Sequence, residues 1–220
     1  MQDAIWPLLD LAVITPVLQL RYTTDKLATA LARLAADGIH DPATMPFAIP
    51  WTDAVSPELE RNTLQYFWRT RADTSKTHWD LPLTVLVDGE AVGVCLIEAD
   101  EFPRRRTAGT GSWLGRRYQG RGIGREMRAA ALHLIFAGFD ADFARTAAWH
   151  DNAASLAVTR GLPYTQTDTA RQPRRGVPDT MLQFTMRRQQ WNTVRRNDIQ
   201  LVGIDAVGDQ LGLSRQPAIS

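Results

Sequence analysis

A mixed α/β fold, a sheet with helices laid on it, is what this 220-residue sequence predicts, and three observations carry the prediction. Residues 83–87 and 91–97 are rich in β-branched and aliphatic side chains, and Asp88-Gly89 stands between them. Asp-Gly there is the preferred chemistry of a two-residue hairpin, because both central residues take positive φ. Further on, Gln119-Gly120-Arg121-Gly122-Ile123-Gly124 separates a short strand from a helix. In that helix Ile123, Met127, Ala130, Ala131, Leu134 and Ile135 recur at helical spacing and form one apolar face.

The remaining elements follow in order. Residues 13–22 read as one extended segment in which Leu18, Gln19, Leu20 and Arg21 alternate. A helix follows over 25–36, capped by Asp25 and stopped at Gly38. Pro42, Pro46 and Pro50 make 40–51 a loop. Ser56-Pro57-Glu58 opens a second helix that runs to about Arg71, with Ser56 as cap and proline at the first position. After the hairpin, a loop holding Arg104, Arg105 and Arg106, read as solvated, leads into a strand over 107–114. The glycine loop and its helix come next, then a strand over 143–149 and a short helix over 152–160. Residues 164–167 and 181–186 make a closing strand pair. No repeat or low-complexity linker divides the chain. One domain over 1–220 is expected, with its ligand-binding loop and helix at about 113–138 and a tail from about 190.

Composition narrows the function. Twenty-five basic residues against 24 acidic give a net charge of +1, without the basic excess of a nucleic-acid binder, so no nucleic-acid partner is expected. A lone cysteine, Cys95, excludes an intrachain disulfide and a multi-cysteine zinc site. His40, His78 and His133 show no ligand spacing, so no metal is expected either. Asp3, Pro7, Asp10 and Pro16 break the apolar N-terminal stretch, and no basic segment precedes it. A cytoplasmic protein without membrane contact is the expectation. No G-x-S-x-G elbow surrounds any serine, which excludes the common serine-hydrolase arrangement.

Glycines between a strand and a helix let the backbone approach a ligand and leave the first helical N–H groups exposed. Those donors and the positive end of the helix dipole bind phosphate, and Arg121 and Arg125 add charge beside them. A tight turn that uses glycine for conformation alone accounts for the same residues. The spacing is G-x-G-x-G rather than the dinucleotide G-x-G-x-x-G, and neither lysine follows a glycine as a P-loop requires.

A strand, Gln-x-x-Gly-x-Gly, a helix, a strand and then Asp151-Asn152-Ala153-Ala154-Ser155 resemble the GNAT superfamily of acyl-CoA-dependent N-acyltransferases. Within it, Thr15-Pro16-Val17-Leu18-Gln19-Leu20-Arg21, Trp113-Leu114 and Asn152-x-x-Ser155 resemble the ribosomal-protein N-terminal acetyltransferases of RimJ/RimL type. His40-Asp41-Pro42, Met45-Pro46-Phe47 and residues 111–124 further resemble a mycobacterial subgroup in which succinyl-CoA is a candidate donor. The resemblance covers nearly the whole chain. It implies a central, mostly antiparallel twisted sheet with a splayed parallel strand pair, flanked by helices. It also implies acetyl-CoA or succinyl-CoA as co-substrate, contacted by Trp113, Leu114, residues 119–125, Asn152 and Ser155.

The same resemblance implies roles. The strand ending at Trp113-Leu114 bulges, so that a backbone N–H near Leu114 meets the thioester oxygen. Asn152 bonds the pantetheine arm besides capping its helix, and Ser155 sits by the coenzyme sulfur, where it stabilises or protonates the thiolate. The tyrosine that many relatives carry seven residues after the asparagine is Thr159 here. The glutamate usual before the glycine loop falls near Gly109, and the acid of the ribosomal enzymes falls near Arg174. Glu98, Asp100, Glu101 and His150 are therefore the candidate bases. Trp113 is equally a core residue, Ser155 an ordinary first-turn serine and His150 a structural histidine. Arg171, Arg174 and Arg175 are solvated; alternatively, Arg174 and Arg175 reach over the cleft to the carboxylate of a succinyl donor or an acidic acceptor.

The expected activity is transfer of an acetyl or succinyl group to a primary amine of a small molecule or peptide by direct attack. A CoA-binding sensor without turnover is the alternative. Related proteins pair their sheets, and the N-terminal region and the tail over 195–213 offer extra surface, so a homodimer is expected.

Overall fold

Thr15 sets the first element apart from its expected form. In the computed structural model, which describes residues 5–214, the stretch 13–22 is a hairpin of β1 (Ala12–Ile14) and β2 (Gln19–Tyr22). The Thr15 hydroxyl accepts from the N–H groups of Val17 and Leu18, a local turn that ends β1. Helix α1 (Asp25–Ala36) has the expected length, but Thr24 is its cap, accepting from Leu27 N through Oγ1. Helix α2 (Glu58–Ala72) also lacks the expected cap: the Ser56 hydroxyl donates to the Glu60 carboxylate instead. Asp25 faces this second helix and pairs with Arg71 at 3.0 Å.

Strands β3 (His78–Val87) and β4 (Glu90–Asp100) meet at Asp88 (φ +50°) and Gly89 (φ +80°), the turn that the sequence predicts. Both extend past the apolar runs, and Pro82 masked the start of β3. Its carbonyl accepts from Thr23 N, so its missing N–H faces the same side, beyond the last ladder pair of β2.

A short helix, α3 (Phe102–Arg105), takes the place of the expected loop. Arg104 and Arg105 are exposed, but Arg106 is 5% exposed and belongs to the interior. Its guanidinium donates to the carbonyls of Phe139, Asp140 and Leu213 at 2.6–2.9 Å and lies 4.6 Å from the Phe102 ring centroid. Arginine suits the place because its fork satisfies several acceptors at once. Arg106→Ala leaves those carbonyls without a donor and is expected to cost about 3–5 kcal/mol. A fall in the urea midpoint with an unchanged m-value checks this.

Strands β5 (Thr107–Leu114) and β6 (Phe143–Trp149) have the predicted bounds, and between them helix α4 (Ile123–His133) runs on through a π-turn over Leu134–Gly138. Helix α5 (Ala153–Arg160) follows β6, starting at the expected place. The last hairpin is much longer than predicted: β7 (Thr165–Arg174) and β8 (Val177–Arg187) turn at Arg175 (φ +49°) and Gly176 (φ +80°). β7 is an edge strand with mostly exposed polar side chains, so no apolar alternation marks it. Helix α6 (Arg188–Asn192), β9 (Gln200–Val202) and α7 (Ile204–Val207) complete the chain.

The strand order is β7-β8-β6-β5-β4-β3-β2-β1-β9, antiparallel throughout except for β5 beside β6. Successive strand residues face opposite layers. Cys95 and Ile97 on β4 therefore pack with Ile123, Met127, Ala130 and Ile135 of the α4 layer, while Val94 packs with Leu31, Leu34 and Phe67 of α1 and α2. The tail packs in part on the body of the chain. Its β9 pairs with β1, Val207 and Leu211 are fully buried, and Trp79 Nε1 donates to Leu211 O. Among the described residues no helix is long and apolar enough to cross a membrane.

Candidate active site

The cleft begins where two strands part. β5 and β6 are paired from Thr107↔Phe143 to Thr110↔Thr146 and then diverge, so β6 supplies no partner to residues 111–114. A cavity of about 1010 Å³ opens there, walled by β5, β6, β8, α4, α5 and the loop around Phe47. The bulge expected in β5 is not present in its ladder with β4, which runs unbroken from Gly93↔Leu114 to Glu98↔Gly109. Strand divergence, rather than a bulge in that ladder, exposes the backbone edge before Leu114. Trp113 and Leu114 both line the cleft; Trp113 also leans on Trp51, with ring centroids 6.0 Å apart.

Glycine conformation shapes the loop that follows. Gly120 (φ +72°) and Gly122 (φ +82°) are left-handed, which L side chains adopt at a cost. No described carbonyl accepts from the backbone N–H groups of residues 120–124, and α4 starts without a side-chain cap. Arg121 and Arg125 are exposed beside these donors and bond to no described residue. The arrangement is a nest of N–H groups at a helix N-terminus, suited to phosphate oxygens. Gln119 has a different part: its amide donates to Ile39 O and Leu114 O at 2.6 and 2.8 Å, bracing the loop against β5.

Across the cleft, Asn152 caps α5, with Oδ1 accepting from Ser155 N at 3.1 Å. Asn152 and Ser155 both face the cavity, and the Ser155 hydroxyl bonds to no described residue. A hydroxyl so placed is available to a ligand.

Glu98 also lines the cavity, whereas Asp100 is bonded to His78 Nδ1 outside it. A Cβ built on Gly109 would lie 2.7 Å from Glu98 Oε1. The Glu98 carboxyl therefore occupies the space that a side chain at 109 would fill. Its pKa is raised by desolvation between the cleft walls, then by the Asp80 and Asp100 carboxylates, although solvent reaches it through the open mouth. Glu101 is not among the lining residues. His150 is not brought into the cleft: it stands half-exposed with Nδ1 3.2 Å from Asp179 Oδ1.

The two arginines expected to await a substrate carboxylate already hold the protein's own. Arg174 donates to Asp151 and Asp179 at 2.8–2.9 Å and to Met45 O, with its guanidinium 5.1 Å from the Trp149 ring centroid. Arg175 bonds to Asp53 and Pro42 O. These pairs hold the Asp179 and Asp53 carboxyls below the usual carboxylate range. The β7–β8 hairpin is thus clamped to the loop over 42–53. Arg174→Ala is expected to lower turnover equally with acetyl-CoA and succinyl-CoA, because it loosens a wall rather than removes a donor contact. Initial rates with the two thioesters check this.

Arg128 and Arg145 line the cavity as well, and neither stood out in the sequence. For Arg128 a signal existed: it lies three residues before Ala131 and seven before Ile135, on the apolar face of α4.

The model of the acetyltransferase (GNAT) domain matches residues 18–163. The chain belongs to that family, the acyl-CoA-dependent N-acyltransferases. Among solved structures it is similar to Mycobacterium smegmatis RimJ in complex with a CoA disulfide, at 19% identity and a TM-score of 0.68 over 90% of this chain and 91% of that one. RimL, a ribosomal L7/L12 alpha-N-protein acetyltransferase, is similar at 21% identity and a TM-score of 0.64, covering 80% and 94%. A GNAT-family acetyltransferase from Bacillus anthracis matches at 14% identity and 0.64, covering 81% and 99%.

Proposed function

We propose that the chain, acting as one domain, transfers an acetyl or succinyl group from acyl-CoA to a primary amine of a small molecule or a peptide. The convergence on one cleft of Glu98, Ser155 and the two ends of the glycine loop, Gln119 and Gly124, carries this reading. The nest with Arg121 and Arg125 takes the coenzyme phosphates, Asn152 the pantetheine arm, and the backbone by Leu114 the thioester oxygen. An aliphatic amine has a pKa near 10.4, so only about one molecule in a few thousand is neutral at pH 7. Glu98 takes the surplus proton, directly or through one water, and its raised pKa suits a base better than an ordinary carboxylate. The amine nitrogen bonds to the thioester carbon, the C–S bond breaks, and Ser155 donates a hydrogen bond to the departing thiolate. Asp80, Glu98 and Asp100 share one face of β3 and β4, which favours a cationic acceptor over an acidic one.

The test is release of free thiol from acetyl-CoA and succinyl-CoA against a panel of small and peptide amines. Ser155→Ala is expected to slow release about 10²-fold with little change in KM for the thioester. Thiol release that is absent with every amine, while CoA still binds, would instead favour a sensor.

A further inference from the structure

Arg128 is a buried cation that forms no ion pair among the described residues. It is 5% exposed, it lines the cleft, and its Nη1 is enclosed without a hydrogen-bond partner. No described residue forms an ion pair or hydrogen bond with its guanidinium. Arg106, equally buried, holds three carbonyls, which shows what this chain does with an arginine that is only structural. Arginine does not shed its proton in proteins, and an enclosed charge without a partner is costly. The arrangement leaves that charge free for a ligand or a transition state that enters the cleft.

Its depth says which charge. The coenzyme phosphates are provided for at the start of α4 by the N–H groups of residues 120–124 with Arg121 and Arg125. Arg128 lies six residues past Gly122, about 9 Å further along the helix at 1.5 Å per residue. There its charge reaches Cys95 on β4, whose cross-strand partner is Ser112 on the open stretch of β5. That stretch is where the thioester is to lie, between Arg128 on one face of the sheet and Glu98 on the other. Arginine acts on the Cys95 thiol in the direction of thiolate, although burial pushes that thiol up to about 12.

We infer that Arg128 is a further catalytic residue, a preorganised cation that stabilises the negative charge developing on the thioester sulfur as the C–S bond breaks. The inference rests on the acyltransferase reading above. When the amine nitrogen bonds to the carbonyl carbon, the π pair moves to oxygen; on collapse it returns and the C–S pair goes to sulfur. Glu98, having passed the ammonium proton to solvent, takes the second proton as the nitrogen becomes an amide, Ser155 hydrogen-bonds to the thiolate, and the thiolate takes its proton later from solvent. A guanidinium left unpaired in the resting enzyme is stronger in that transition state than in the ground state, which is what lowers a barrier.

The experiment uses the full chain and its Arg128→Met and Arg128→Lys variants. Steady-state rates with acetyl-CoA and succinyl-CoA are combined with ultraviolet titration of the thiol of bound CoA. For Arg128→Met we expect kcat to fall 10²- to 10³-fold with either donor and KM to stay within about threefold. The bound thiol should titrate at least one pH unit higher, and apo-protein Tm should rise because the unpaired charge is gone. Arg128→Lys should recover part of both kcat and the thiol shift. A raised KM with kcat retained would make Arg128 a binding group and overturn the inference, as would a loss confined to succinyl-CoA. An unchanged bound-thiol titration would overturn it too. The titration needs no turnover: if wild type binds CoA but releases no thiol from acyl-CoA, the acyltransferase reading fails while the effect of Arg128 on sulfur is still measured. If Arg128→Met does not fold, the Arg128→Lys titration gives the same decision.

Discussion

Glu98→Gln is expected to lower kcat/KM at pH 7 by 10²- to 10⁴-fold, about 3–5 kcal/mol of transition-state stabilisation. Glutamine keeps the size of the side chain and its place over Gly109 but has no site for the amine proton. The wild-type rate should fall on the acid side through a pKa above the ordinary glutamate value, because burial and the Asp80 and Asp100 charges hold it up. In Glu98→Gln that acid limb should vanish, leaving a low rate without it. Stability should move the other way. A carboxyl whose folded pKa exceeds its unfolded value binds more protons in the native state, so stability declines as pH rises through the window between the two. Above that window the penalty is complete, and the amide removes it. Lower activity with a higher Tm is the expected pair of results, read from a pH–rate profile and a melting curve. Full activity in Glu98→Gln would return the base role to a water chain.

Gly93→Ala should damage the site although Gly93 does not itself line the cleft. A Cβ there would lie 2.2 Å from Trp113 O and 2.9 Å from Leu114 Cα, both backbone atoms of the facing strand. Backbone cannot swing aside as a flexible side chain does, so β5 must shift opposite Leu114. Overpacking of this kind costs about 1–3 kcal/mol of stability. The kinetic loss should be larger, on the order of 10²-fold, because about 1 Å of misplacement is enough to spoil a positioned thioester. Gly111→Ala is the contrast: its Cβ meets only Leu96, at 3.9 Å, and the fold should keep its Tm. Melting curves together with kcat/KM for the two variants separate the effects.

Strands 107–114 and 143–149 were legible because apolar alternation is bounded by glycine or charged turns, and α5 because Asn152 is a cap by type and by place. β7 and β9 were not. One is a polar edge and the other three residues long, so neither carries a period. The arginines misled for a related reason: Arg106 differs from Arg104 and Arg105 only in what the tail and the turn after α4 bring to it. Motif spacing singled out the glycine loop, Asn152 and Ser155, since each motif is made of residues close in sequence. Glu98 over Gly109 depends on the cross-strand register of β4 and β5, and no spacing within one strand shows it. Arg174 and Arg175 needed the opposite knowledge, the positions of Asp53, Asp151 and Asp179 in the folded chain.

The pairing of β9 with β1 also fixes an order of events in the making of the protein. On the ribosome the first strand emerges early, yet its outer edge waits for residues 200–202. Trp79 and Arg106 wait longer still, for the carbonyls of Leu211 and Leu213. Until those residues appear, a nearly complete sheet carries an open edge that invites other strands. A chain cut short before residue 200 would contain every group of the cleft and still present itself to the cell as unfinished.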